Sequence, residues 1–330
     1  MPMARFWTAA ISAFCLASLV WLAGLKAQIG VATPSSRWVF EVTEKKRQLA
    51  DATPSPRALV VAGSGALFGL DAAALSRAWG LPVLNLAVNA GLGLRYILWQ
   101  AEQRARPGDA VLLPLEYALF VDDSEAPNGQ IIDYALARDG DYWRSLPIWQ
   151  KLRFAAGLTP DRWWQGLRRL PDAPMAAGTY GGHHIDGVGD QTGTAATDQQ
   201  PIDQAAIALA PVWFYGRRGA DSPGGWSALA EFAGWAKARG ICLVMLPSPF
   251  LVKPDYATDP VERRFYETLP ARISALGIPY IGRPSDFLYP ESWFFNTEYH
   301  LLDWARARHT ERIIALFGTS PFDICRKMGP

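Results

Sequence analysis

Cysteine is scarce in this chain, three residues in 330. Cys15, Cys242 and Cys325 make no C-x-x-C pair and no metal-ligand spacing, so neither a dithiol redox centre nor a zinc site is expected. The two distal thiols are expected to be unpaired, with a Cys242–Cys325 bridge as the open alternative. Charge of one sign is missing too: 32 Lys and Arg face 31 Asp and Glu. With no dense basic cluster, that balance excludes the electrostatic footprint of a nucleic-acid binder. Histidine is rare at four residues, and the adjacent pair His183-His184 has no Cys or carboxylate pattern to complete a metal site. Gly91-Leu92-Gly93 lacks the third glycine and the acidic partner of a dinucleotide fingerprint. No cofactor, no metal and no nucleic acid are expected, and no internal repeat is present.

Long apolar runs are missing as well, apart from one near the start. Residues 6–25 (FWTAAISAFCLASLVWLAGL) are uncharged and mostly apolar, with Arg5 before them and Lys26 after. As a helix, such a run spans a hydrocarbon core of about 30 Å. A secretory signal peptide shares the short basic start and the apolar core. The run closes on no clean small-x-small cleavage site, only the poor Leu25-Lys26-Ala27. An uncleaved signal anchor over residues 1–29 is therefore expected, with a cleaved signal peptide as the alternative. The remainder is expected to be a soluble domain on one side of a membrane.

What is present is the composition of a globular core, 50% apolar and 19% charged, enough for one large α/β domain or two smaller ones. Residues 30–56 contain Pro34 and end in ATPSP, and they read as a stalk or linker with a short helix over EVTEKKRQLA. From residue 57 an α/β rhythm begins. Strands are predicted at 58–63, 82–88, 109–117, 241–249 and 277–282, and helices at 71–79, 94–106, 227–239, 260–276 and 302–317. Alternation of this kind predicts a parallel sheet covered on both faces. The rhythm breaks over an insertion, residues 118–226. Within it 141–170 reads as helical and 175–203, rich in Gly, Thr, Asp and Gln, as a long loop. Trp143, Trp149, Trp163 and Trp164 recur there at near-helical spacing, read first as core or membrane-facing packing and only secondarily as a glycan platform.

Ligands of an open parallel sheet bind beyond the C-terminal ends of its strands. Those ends carry Gly63-Ser64-Gly65, Asn89-Ala90-Gly91, Leu115-Glu116-Tyr117 and Pro247-Ser248-Pro249, and His300 precedes the last helix. A serine hydroxyl needs an imidazole to take its proton, the imidazole needs an orienting acceptor, and a developing oxyanion needs donors. Ser64 and His300 fit the first pair, and backbone N–H groups beside Ser64 and Gly91 fit the last.

The segments AGSGALFGLDA, NLAVNAGLGLRY, GDAVLLPLEY and NTEYHLLDWARARHTERI, in that order, resemble the SGNH (GDSL-type) hydrolase superfamily. More narrowly, they resemble its membrane-anchored members tied to O-acetylation of exopolysaccharides such as alginate and bacterial cellulose. The likeness covers about residues 57–117 and 227–317. It implies a three-layer flavodoxin-like fold over residues 57–330, with Ser64 as nucleophile, His300 as base and Gly91 as the second-block oxyanion glycine. Three departures stand out. Ala62-Gly63-Ser64 replaces Gly-Asp-Ser. Leu113-Pro114-Leu115-Glu116 stands where the third-block Gly-x-Asn-Asp would be. Thr297 occupies the acid position before the histidine, and where related sequences place an Asp one residue earlier, this chain has Asn296. The orienting residue is therefore left open among Asn296, Glu298, Glu116 and Asp303.

The expectation is an extracytoplasmic acyl esterase or O-acyltransferase acting on an exopolysaccharide such as cellulose, periplasmic and held to the inner membrane by its N-terminal helix. The alternative is a catalytically degenerate accessory protein bound to a polysaccharide synthase or a membrane-bound acyltransferase. A general lipase or esterase is the third option.

Overall fold

The computed structural model describes residues 2–122, 125–169, 171–175, 178–220 and 224–328. Four short strands, β1 (Ala58–Val60), β2 (Val83–Asn85), β3 (Ala110–Leu113) and β4 (Cys242–Met245), form a parallel sheet in the order β2-β1-β3-β4. Ala58 is in register with Val83 on one side and Ala110 on the other, and Ala110 with Cys242. Side chains of the two central strands are buried on both faces, as the unbroken apolar runs require. A pair of two-residue strands, β5 (Phe250–Leu251) and β6 (Leu288–Tyr289), lies apart from that sheet. The chain is thus mixed α/β with a four-stranded parallel sheet and one N-terminal apolar helix.

The fifth strand expected at 277–282 is reduced to a single parallel bridge, Met245 to Tyr280. Pro279 has no amide to donate, so the ladder stops after Met245 N–H meets Pro279 O and Ile281 N–H meets Met245 O. The helices follow their predicted spans closely. Ala72–Trp79, for instance, starts on Asp71, whose carboxylate accepts the Ala74 N–H, and ends on Gly80 at φ 65°.

Two expectations are corrected. Residues 30–56 are not a solvated stalk: Arg37–Ala52 is a helix with Val42, Lys46 and Ala50 buried. Its end is clamped by Arg57, which donates to the carbonyls of Ala50, Thr53 and Arg104 and pairs with Asp109 at 3.2 Å, both side chains fully buried. Cys242 and Cys325 are not free thiols but a disulfide, Cα–Cα 5.9 Å, tying the C-terminal helix Pro321–Met328 to β4.

The contacts divide the chain into two units. One comprises Met1–Phe40 and Glu125–Met175, the other Glu41–Ser124 and Ala176–Pro330. The insertion is therefore split between them. In the first unit, the helices Ile148–Gly157 and Pro160–Arg168 pack on the end of the apolar helix Pro2–Gln28. Trp21 stacks on Trp163 and donates Nε1–H to Ala155 O, and Arg162 bonds Gln28 Oε1 and pairs with the buried Asp133. In the second unit, the segment predicted as a loop is held down by buried polar groups. Asp190 accepts from Ala72 N and Asn85 Nδ2, and Val188 O accepts the Asn85 N–H at the open edge of β2.

Candidate active site

Beyond β1 the chain turns at Gly63 into the six-residue helix Ser64–Gly69, with Ser64 its first residue and half-exposed. Gly63 is required by its neighbour, and Gly65 is tightly packed by its own. A Cβ on Gly63 would lie 2.4 Å from Ala90 N, and one on Gly65 would lie 3.0 Å from Glu116 Oε1 and 3.1 Å from Ser248 Oγ. The first approach brings the second-strand turn against the serine turn. The second reveals the partner of the turn, because the Glu116 carboxylate bridges it. Glu116 Oε2 accepts the Gly63 N–H at 3.0 Å and Oε1 the Gly65 N–H at 2.6 Å. Burial pushes this carboxyl up, and the backbone bonds work against the shift. The bridge leaves Ser64's own amide donating to none of the described residues.

Gly91 lies in the turn Ala90–Leu92. Asn89 caps that turn, and its Oδ1 accepts the Gly91 N–H at 2.6 Å. The Gly65 and Gly91 amides are both engaged within the fold.

The histidine side is built by a tight return of the chain. Phe294 and Leu301 form an antiparallel bridge, and Phe295 N–H bonds His300 O at 2.7 Å. The return folds Asn296 back onto His300, so that Nδ1 lies 2.7 Å from Asn296 Oδ1. Asn296 Nδ2 donates to the Tyr180 hydroxyl at 3.1 Å. An acceptor at Nδ1 puts the proton on that nitrogen and leaves Nε2 as the free lone pair. The imidazole lies flat on Phe68, centroids 4.0 Å apart and planes 6° apart, with Tyr180 edge-on to both rings. This aromatic packing strips water from the ring, and desolvation pushes its pKa down to about 3.

Phe68 stands one helical turn after Ser64, on the same face of the same short helix. The ring of His300 therefore sits beside the face that presents the serine. Among the described residues the Ser64 hydroxyl and His300 Nε2 have no hydrogen-bond partner, and neither is one of the fully buried, unpartnered polar atoms.

Of the sequence candidates, Asn296 and His300 are brought together, His300 rests on Phe68 of the helix that Ser64 begins, and the Gly91 turn adjoins the serine turn where Ala90 lies against Gly63. Asn296, not Glu298 or Glu116, takes the imidazole. Glu298 instead borders the tyrosine cluster of Tyr215, Tyr256 and Tyr299, whose hydroxyls burial pushes up with a further contribution from its charge. Glu116 belongs to the serine turn. Asp303 N–H bonds Thr194 O, and its carboxylate accepts the N–H of its neighbour Trp304. Sequence reasoning missed Tyr180 and Phe68. Tyr180 sits in a low-complexity stretch with no periodicity, and Phe68 reads as any apolar helix residue. No group of three His, Cys, Asp or Glu side chains suited to a metal occurs among the described residues. No protein-family model matches the chain, and no curated protein matches it.

Proposed function

We propose that this protein is a membrane-anchored, extracytoplasmic acyl esterase or O-acyltransferase that uses Ser64 as nucleophile and an exopolysaccharide, such as cellulose, as acyl donor or acceptor. The observation that carries this reading is the Asn296–His300 pair, with the imidazole laid on the helix that begins with Ser64 and its Nε2 unspent. The strand order β2-β1-β3-β4, with Tyr280 bridged beyond β4, is compatible with the three-layer flavodoxin-like SGNH fold. The Cys242–Cys325 bridge suits an oxidising compartment such as the periplasm, and the helix Pro2–Gln28 is long and apolar enough to anchor the chain there.

In this mechanism Ser64 Oγ attacks the carbonyl carbon of an acyl ester while its proton passes to His300 Nε2. Asn296 Oδ1 holds the opposite N–H and stabilises the imidazolium. The carbonyl oxygen becomes an oxyanion facing the unspent Ser64 N–H. Gly91 N–H joins it when Asn89 Oδ1 yields its place. The carbon–oxygen bond to the leaving alcohol breaks, His300 returns the proton to that alcohol, and an acyl-Ser64 remains. A sugar hydroxyl, or water, then attacks the acyl carbon and gives its proton to His300, the bond from that carbon to Ser64 Oγ breaks, and His300 returns the proton to Ser64 Oγ. Serine–histidine hydrogen bonds are often long before substrate docks, so the want of a Ser64–His300 hydrogen bond among the described residues suits a resting site.

A second reading is favoured by one specific observation, the engagement of both the Gly65 and Gly91 amides within the fold. It makes the protein an accessory that binds a polysaccharide synthase or membrane acyltransferase without performing transfer. Covalent labelling separates the two. The full chain is treated in detergent with a serine-directed phosphonate, and the adduct is located by mass spectrometry. An adduct on Ser64 that is lost in His300→Ala supports the enzyme. A folded protein that takes no label supports the accessory.

A further inference from the structure

The first unit carries an apolar surface that none of its described side chains covers. On the helix Ile148–Gly157, Gln150, Phe154 and Ala155 face inward, while Ile148, Trp149 and Leu152 project outward, Ile148 at 72% exposure. On the helix Pro160–Arg168, Trp164 and Leu167 project likewise. Arg153 lies over the Trp149 ring at 5.1 Å and Arg168 over the Trp164 ring at 5.2 Å. The first of these helices carries Lys151 and Arg153 and no acid. Tryptophan with a guanidinium alongside, on an amphipathic helix, is the chemistry of a membrane–water boundary.

The anchor helix says where that boundary falls. From Met3 through Val20 it contacts little, its side chains almost all exposed, and burial begins with Trp21, Gly24, Leu25 and Gln28. Eighteen bare residues make a rod of about 27 Å, close to the hydrocarbon thickness of about 30 Å. The bare stretch ends where the two helices take hold: Trp163 fills the space beside Gly24, and Gln28 Nε2 donates to Trp163 O. Their exposed tryptophans are thus fixed at the depth where the anchor leaves the lipid.

We propose that the helices Ile148–Gly157 and Pro160–Arg168 lie in the interface of the bilayer crossed by the anchor, with Trp149, Leu152, Trp164 and Leu167 in the headgroup–acyl boundary and the arginines among anionic phosphates. This rests on the reading of Pro2–Gln28 as membrane-spanning. The occupant of the surface is lipid, because the surface is continuous with the end of the anchor helix and its charge is net cationic, Lys151, Arg153 and Arg168 against Asp161.

Depth-dependent quenching tests the proposal in the full chain. The protein is reconstituted into vesicles of phosphatidylcholine and phosphatidylglycerol that carry nitroxide lipids. A thiol-reactive fluorophore is placed on native Cys15, or, in a Cys15→Ser background, on Leu152→Cys or Leu167→Cys; the Cys242–Cys325 bridge takes no label. The expected result is loss of emission at 15 to a mid-chain nitroxide, and at 152 and 167 to a nitroxide near the headgroup. Quenching at 15 with none at 152 and 167 overturns the interfacial proposal and leaves the anchor standing. Quenching at 152 and 167 with none at 15 overturns the anchor and keeps the interfacial helices. Silence at all three overturns both. Emission at 152 and 167 that falls with protein density rather than nitroxide content overturns the proposal in favour of a second copy on this face.

Discussion

His300 and His309 make a natural pair. Both imidazoles are buried, and in both burial pushes the pKa down to about 3, with Arg312 adding to the effect at His309. Both have a partner at Nδ1, Asn296 Oδ1 at 2.7 Å for His300 and the Tyr289 hydroxyl at 2.9 Å for His309. They part company at the second nitrogen. His309 Nε2 is sealed in the core without a partner, between Phe287 and Tyr289. His300 Nε2 is left open beside the helix of Ser64. A depressed basicity therefore records desolvation and does not by itself mark a reactive group. What distinguishes the two is the second nitrogen, sealed in the core at His309 and not sealed at His300.

The widest separation of the pair is expected in activity. His300→Ala, like Ser64→Ala, should lower acyl transfer by about 10³-fold or more, whereas His309→Gln should leave kcat nearly unchanged and cost thermal stability instead. Steady-state kinetics beside melting curves check this, and equal losses of activity in both variants would erase the distinction. Next in size is Asn296→Ala, which frees the imidazole to turn and should lower kcat by about 10²-fold with KM little changed. A KM effect alone would mean that Asn296 touches substrate rather than His300.

Acid should affect the two histidines alike in stability. Their folded pKa values lie below the unfolded value of about 6.5, so the unfolded chain binds protons first as pH falls. Stability is full above about pH 6.5 and declines by about 1.4 kcal/mol per pH unit per histidine toward pH 3. Denaturant titrations at pH 7.5 and 5.0 should show a shallower loss in His309→Gln than in the parent. On the proposed mechanism the rate of acyl transfer should show no falling limb at pH 6.5, because His300 stays neutral there. Such a limb would place its pKa in the ordinary range and break the burial argument. The smallest effect is expected from Tyr180→Phe. It removes the acceptor of Asn296 Nδ2 but keeps the ring against Phe68 and His300. A severalfold fall in kcat is expected, restored by no change of pH.

Much of the α/β layout was legible along the chain, because strand and helix signals are local. Apolar runs, Asp71 before a helix and Gly80 after it act within a few residues. The fifth strand failed for a reason that was also local, the missing amide of Pro279. The candidate residues at the strand ends were legible for the same reason: a parallel sheet places those ends on one edge. The pairing among them was not. Asn296, Glu298, Glu116 and Asp303 were equivalent on paper, and a hydrogen bond within 3 Å depends on how the chain returns on itself between Phe294 and Leu301.

By itself, then, the sequence determined the apolar N-terminal helix, the parallel sheet, and the glycine-flanked serine with a histidine before the last helix. Each follows from residue type and spacing within one element. Tertiary structure alone decided that Glu116 spans the serine turn, that Asn296 holds His300, that Tyr180 reaches in from the insertion, and that Cys242 meets Cys325. Each of these brings together groups far apart in the chain, or chooses one of several equal candidates. Packing makes that choice, by excluding water from one arrangement and satisfying its polar atoms.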